Sequence, residues 1–261
     1  MPLEPESNRA TQNRFAITWP RDERKFILRG AQINDRLNRI RLMDYRKNPF
    51  PGFLLYNCKD MTRKLARNFF NRPTLKVARE LLGKFLARAY RGKTSAVMIT
   101  EVEAYDGFQD LGSHARRGKT ARNWPMYGQA GHWYVYFTYG MHWMLNVVTR
   151  EKDYPAAVLI RAGFLFSNSR LRMASAGQAR KLENKNGKFI NGPGKLTKVL
   201  KIDGHLSGKS ATPKNGLWIE DRGVAIPKRK VKRGKRIGID YAGPKWAARP
   251  WRFWIGPDSL T

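Results

Sequence analysis

Cysteine is almost missing from this chain, and acid is scarce. Cys58 stands alone among 261 residues, which excludes an internal disulfide and any cysteine-rich metal cluster and points to a reducing, intracellular setting. No run of about 18 apolar residues occurs, so nothing reads as a membrane-spanning helix. The opening MPLEPESNRATQNRF lacks the apolar stretch of a secretory signal. His114, His132, His142 and His205 form no HExxH pattern and there is no CxxC, so a zinc site of the deaminase or protease type has no ligand set. GxxxxGK[ST] and GxSxG are missing as well, which removes support for P-loop and nucleophile-elbow chemistry.

What the chain has in excess is positive charge. Lys and Arg number 51 against 20 Asp and Glu, a net charge of +31, so a polyanion is the natural partner, nucleic acid ahead of membrane. The field is uneven. Residues 1–60 carry 12 basic and 7 acidic residues, or +5, leaving 39 and 13, or +26, for residues 61–261. RDERK and RLNRIRLMDYRKNPFPG in that first stretch have little apolar periodicity to bury. We expect a basic N-terminal extension over 1–60, disordered or loosely attached, with Met61 a natural start for a domain over 61–261. A hydrophobic content of 41% is enough for one good-sized core.

Within 61–261, LKVARELLGKFL places Leu75, Ala78, Leu81 and Leu82 at helical spacing, with Pro73 in the first turn and Gly83 as a stop. AVMITEVEAY alternates. Met98, Thr100, Val102 and Ala104 share one strand face, while Glu101, Glu103 and Tyr105 share the other, which looks into a site. GFQDLGSHARRGKTARNWPMYGQAG is polar and Gly-rich; a connection of about 25 residues without its own strands is a functional-loop candidate. GHWYVYFTYGMHWMLNVVT reads as two strands hinged at Tyr139-Gly140. AAVLIRAGF reads as a strand ending near Arg161, residues 167–188 as helical or irregular, NGKFINGPG as a loop, KLTKVLKI as a short helix and GLWIE as a strand. PKRKVKRGKR is a charge run, solvated or phosphate-facing.

The residues left to do chemistry are carboxylates in an aromatic and basic setting. Glu103 sits two residues before Tyr105, with His114 in the loop that follows. A carboxylate against an aromatic wall can act as general base toward water, as hydrolysis of a glycosidic bond requires; the plainer alternative is a strand Glu paired with a surface Arg. Tyr134, Tyr136 and Tyr139 offer flat faces for stacking bases, or are core aromatics of a sheet. Tyr139, at a turn beside Gly140, has little core to enter and is placed to wedge between base pairs. A non-catalytic nucleic-acid binder and a structural RNA-binding protein also account for the charge, but neither has a use for Glu103.

RPTLKVARELLGK, TEVEAYDG, GSHARRGKTARN, GHWYVYFTYGMHWMLNVV, AAVLIRA, NGPGKLTKVLKI and YAGPKWAARPWRFW, in this order, resemble the 3-methyladenine DNA glycosylase family of the alkyladenine type. The likeness covers roughly residues 70–258. It implies an α+β single domain with a curved, mostly antiparallel sheet, packed helices and a protruding β-hairpin. It further implies a monofunctional, monomeric, cofactor-free and metal-free enzyme that flips alkylated purines out of double-stranded DNA and hydrolyses the N-glycosidic bond. Such an enzyme has no business at a membrane and works in the bacterial cytoplasm or nucleoid, or in the nucleus of a eukaryote. By the same resemblance Glu103 activates the water and Arg161 helps orient it. Tyr105, His114, Tyr136 and Asn146 line the base pocket, Tyr139 fills the gap in the duplex, and Arg122 and Lys195 hold phosphates. His142 and Met144 depart from the better-known mammalian pattern.

Overall fold

A computed structural model describes residues 62–166 and 187–256. The expected extension over 1–60, the start at Met61 and most of the 167–188 stretch lie outside the described residues. The described chain is mixed helix and sheet, and its strand pairings are all antiparallel. The main sheet runs in the order β1 (Arg63–Lys64), β8 (Leu217–Asp221), β2 (Phe85–Tyr90), β3 (Lys93–Asp106), β6 (Ala156–Phe166), β5 (His142–Val148), β4 (Trp133–Thr138). Two further strands branch from it: β7 (Gly187–Asn191) pairs with β6, and β10 (Arg252–Trp254) pairs with β3 and with β9 (Lys232–Gly234).

β3 and β6 are the long strands, rich in β-branched and apolar residues that Glu101, Glu103 and Arg161 interrupt on one face. Val97, Met98, Ile99, Val102 and Ala104 of β3 and Val158 and Ile160 of β6 are fully buried. α2 (Thr74–Leu81) covers this core with Thr74, Val77, Ala78 and Leu81. Burial of a side chain such as Leu81 is worth about 1.5–3 kcal/mol.

Three boundaries differ from the sequence-based expectation. The helix stops at Leu81, just short of the expected stop at Gly83, with Pro73 as its cap rather than inside its first turn. Leu82 is already extended, Gly83 turns the chain at φ 83°, and Phe85 and Leu86 enter β2, where both are buried. A short apolar run serves strand or helix equally well, and here the left-handed glycine decides. The strand through Arg161 does not end there but continues to Phe166, pairing with GKFIN, which is strand β7 rather than loop. Gly163 lies in that continuation. A β-carbon on it would stand 3.0 Å from the Met98 carbonyl oxygen and 3.1 Å from Val97 Cγ2, so glycine lets the two strands meet there without either giving way. The long polar loop contains two 3₁₀ turns, His114–Arg117 and Trp124–Tyr127, and α3 (Pro193–Val199) follows β7 as the expected short helix.

Candidate active site

The site begins as one row across the sheet. Glu103 lies opposite Arg252 on β10 and Leu159 on β6; Leu159 lies opposite Asn146 on β5; Asn146 lies opposite Tyr134 on β4. Directly paired residues project to the same face, so five strands deliver these side chains to one surface. The period of two then adds Tyr105, Arg161, Met144, Tyr136 and Thr138. Tyr105, Tyr134, Tyr136, Thr138, Met144, Asn146, Leu159 and Arg161 all line a single cavity of about 330 Å³.

Glu103 is fully buried behind that lining, bonded to three residues that form it. The Tyr105 hydroxyl donates to Glu103 Oε2 at 2.9 Å, the Ile237 N–H donates to Oε1 at 2.8 Å, and Arg161 Nη1 stands 3.3 Å from Oε2. Arg161 also gives Nε to Glu101 Oε1 at 3.0 Å, and Arg252 donates to the same oxygen at 3.2 Å. On either side of an irregularity at Glu101 the β3–β6 register is the same, Ile99 with Gly163 and Val102 with Ile160; this sets Arg161 across from both carboxylates. Burial pushes the Glu103 carboxyl above the ordinary value of 4.5, while Arg161, the Ile237 N–H and Tyr105 pull the other way. Burial wins, leaving a carboxylate more basic than an exposed one.

The aromatic walls carry no charge. His114 and Tyr136 meet edge to face, 4.5 Å between ring centres, and Tyr136 lies 5.2 Å from Tyr134. His114 Nδ1 is 2.8 Å from the Tyr134 hydroxyl. Burial, with Arg122 and Arg116 nearby, lowers the imidazole to about 4, so it is neutral at physiological pH. Burial raises both tyrosine hydroxyls above their usual range. Asn146 donates Nδ2 to the Tyr134 carbonyl at 3.1 Å, and its amide borders the cavity.

Tyr139 borders the same cavity yet is 80% exposed. It joins β4 to β5 with a left-handed backbone, φ 52°, followed by Gly140 at 66°, and the Met141 N–H closes the turn on the Thr138 carbonyl at 3.2 Å. A bulky aromatic at positive φ is an uncommon and strained choice. Arg122 lines a neighbouring cavity of about 270 Å³ with Ser113, His114, Arg116, Arg117 and Tyr241, and donates to the Phe137 carbonyl at 2.9 Å. Lys195 borders neither cavity; it is exposed in the first turn of α3, two residues after Pro193, which does border the first. Among the described residues no three His, Cys, Asp or Glu side chains gather as a metal ion requires.

The sequence reading missed the loop that holds Glu103 from outside the sheet. Arg236 and Asp110 form a fully buried bidentate pair at 2.6 and 2.8 Å. Asp110 also accepts from the Asp106 and Gly112 N–H groups, and Arg236 donates to the Ala104 carbonyl at 3.0 Å. This pair fixes the backbone just before Ile237, whose N–H holds Glu103. Tyr241, which donates to the Gly112 carbonyl at 2.9 Å, closes the same side of the cavity. Residues 68–259 match the family model of methylpurine-DNA glycosylase (MPG). The chain belongs to this family. As a DNA glycosylase it is a hydrolase of DNA repair. Relatives named as 3-methyladenine DNA glycosylases resemble it closely. That of Methanocella arvoryzae is 45% identical over 190 residues, 73% of this glycosylase and 91% of the relative. Those of Streptomyces avermitilis and Psychrobacter cryohalolentis are 42% and 43% identical over 196 and 202 residues, 74% of this chain in each case and 88% and 93% of theirs.

Proposed function

We propose that this glycosylase, acting as a monomer, flips 3-methyladenine and related alkylated purines out of duplex DNA and hydrolyses their N-glycosidic bond, leaving an abasic site with the backbone uncut. The observation that carries the reading is the buried Glu103 behind an aromatic cavity, held by Tyr105, Ile237 and Arg161. Glu103 Oε1, which accepts from the Ile237 N–H, keeps a free lone pair beyond the bonds described. The carboxylate takes a proton from water as the water attacks C1′, while Arg161, already bonded to Glu101, orients the water and balances the charge.

The base enters between Tyr105, His114 and Tyr136. Stacking is worth about 1–3 kcal/mol per base, enough with an intercalated Tyr139 to offset the few kcal/mol that flipping costs. A purine alkylated at N3 or N7 is cationic, so it leaves readily and is attracted by electron-rich faces; a neutral His114 does not repel it. Asn146 screens the purine by its exocyclic group. Tyr139 stands at the tip of a protruding hairpin of a curved sheet, Arg122 beside it, and Lys195 at the α3 side, both toward phosphates.

Incubating methylated duplex DNA with the enzyme and developing alkali-labile sites on a gel tests the reading. The wild-type chain produces such sites without cutting the backbone beforehand. Glu103→Gln loses at least about 100-fold in rate, the scale of a missing general base, yet still binds an abasic-analogue duplex. Near-normal excision by that variant would remove Glu103 from the mechanism.

A further inference from the structure

We infer that Lys228, Arg229, Lys232, Arg233 and Lys235 form a second DNA-contacting strip, which grips backbone phosphates flanking the damaged nucleotide. The inference rests on duplex DNA being the substrate. These five side chains are all exposed, and among the described residues none makes an ion pair with an acid. Five free cations within eight residues repel one another, and a bound polyanion relieves that repulsion.

Three links place the strip at the site rather than on a remote face. Lys232 pairs with Trp254, and Trp254 with Glu101, so Lys232 shares the sheet face of Glu101 and Glu103; Arg233, in line with Phe253 and Val102, leaves from the other side of the same strand and is exposed there. Arg252 gives Nε to the Lys235 carbonyl at 2.8 Å and Nη1 to Glu101 at 3.2 Å, tying the end of the strip to the carboxylate cluster. Lys235 is followed directly by Arg236, clamped to Asp110, and then by Ile237, whose N–H holds Glu103. A duplex delivering a base to the cavity therefore runs within reach of these cations. Duplex DNA is the occupant the placement favours, since a general polyanion surface has no reason to be anchored to the catalytic carboxylates.

The test replaces all five residues with Gln, which keeps length and removes charge, and measures binding to a methylated duplex of about 30 base pairs across a salt series. Each lost phosphate contact flattens the slope of log K against log salt by about 0.9. We expect a loss of about 3 in slope and a rise of roughly tenfold or more in KM, with kcat at saturating DNA and the melting temperature unchanged. A double variant, Lys232→Gln with Lys235→Gln, leaves the 228–230 turn intact and should flatten the slope by about 1–2, which decides the matter if the fivefold variant fails to fold. A slope within about 0.5 of wild type overturns the inference. So does a loss confined to single-stranded RNA with duplex binding intact. A wild-type chain that excises nothing would strike at the proposed function instead, because the strip is read from the salt slope alone.

Discussion

At the scale of single residues, the pH response follows from burial. As the base we propose, Glu103 must be a carboxylate to take a proton, and burial raises its pKa above 4.5. Excision therefore falls on the acid side as pH drops through that raised value, at a higher pH than an exposed glutamate would give. Arg161 is the largest of the opposing influences, so Arg161→Met should shift the acid limb of single-turnover excision further upward, besides slowing the reaction. An acid limb that stays put in Arg161→Met would mean that Glu103 is not the titrating base. Much at this scale was legible in the sequence. Strand alternation put Glu101, Glu103 and Tyr105 on one face, and a tyrosine before a glycine marked the turn. His114 was visible only as a loop residue; its bond to the Tyr134 hydroxyl joins positions 20 apart, which no local pattern encodes.

At the scale of elements, the loop over 107–113 and the loop after β9 are locked together by the buried Asp110–Arg236 pair. Breaking such a pair on one side leaves the other charge buried without compensation, at about 3–5 kcal/mol. Asp110→Ala should lower unfolding stability in urea by that order and cost activity, because Ile237 loses its fixed position against Glu103. Asp110→Asn, which keeps an acceptor for the Gly112 N–H and for Arg236, should cost less. Equal stability for Asp110→Ala and wild type would show that the clamp contributes nothing. This clamp was hidden in the sequence for a physical reason. Arg236 ends a run of exposed Lys and Arg and looks like one more solvated cation, and its partner lies 126 residues away. The helix end, by contrast, was legible: LLGKFL is apolar enough for either element, and Gly83, left-handed in the fold, separates them.

At the scale of the whole molecule, charge and catalysis are divided along the chain. Residues 1–60 carry +5 of the +31, and the family match begins at residue 68. We propose that the catalytic unit is 61–261, so a chain beginning at Met61 should excise methylated purines at the full rate with the same salt slope. Insolubility, or a markedly shallower slope, would make the first sixty residues part of the working enzyme. The sheet itself was foreseeable from alternating segments, but its order, which brings β3, β6, β5 and β4 side by side under one cavity, depends on pairings between distant segments.

Gly163 sets a condition on that sheet. Sliding β6 by two residues against β3 would leave every apolar side chain facing the same way, because a strand repeats every two positions. The core would be satisfied, but Leu159 or Gly163 would stand where Arg161 meets the two carboxylates. Hydrophobic burial cannot tell these alignments apart. Space can: either slide would bring Arg161 or Leu165 to the position where a β-carbon stands only 3.0 Å from the Met98 carbonyl oxygen and Val97 must give way. A residue with no side chain thus favours the one alignment that sets Arg161 against Glu101 and Glu103.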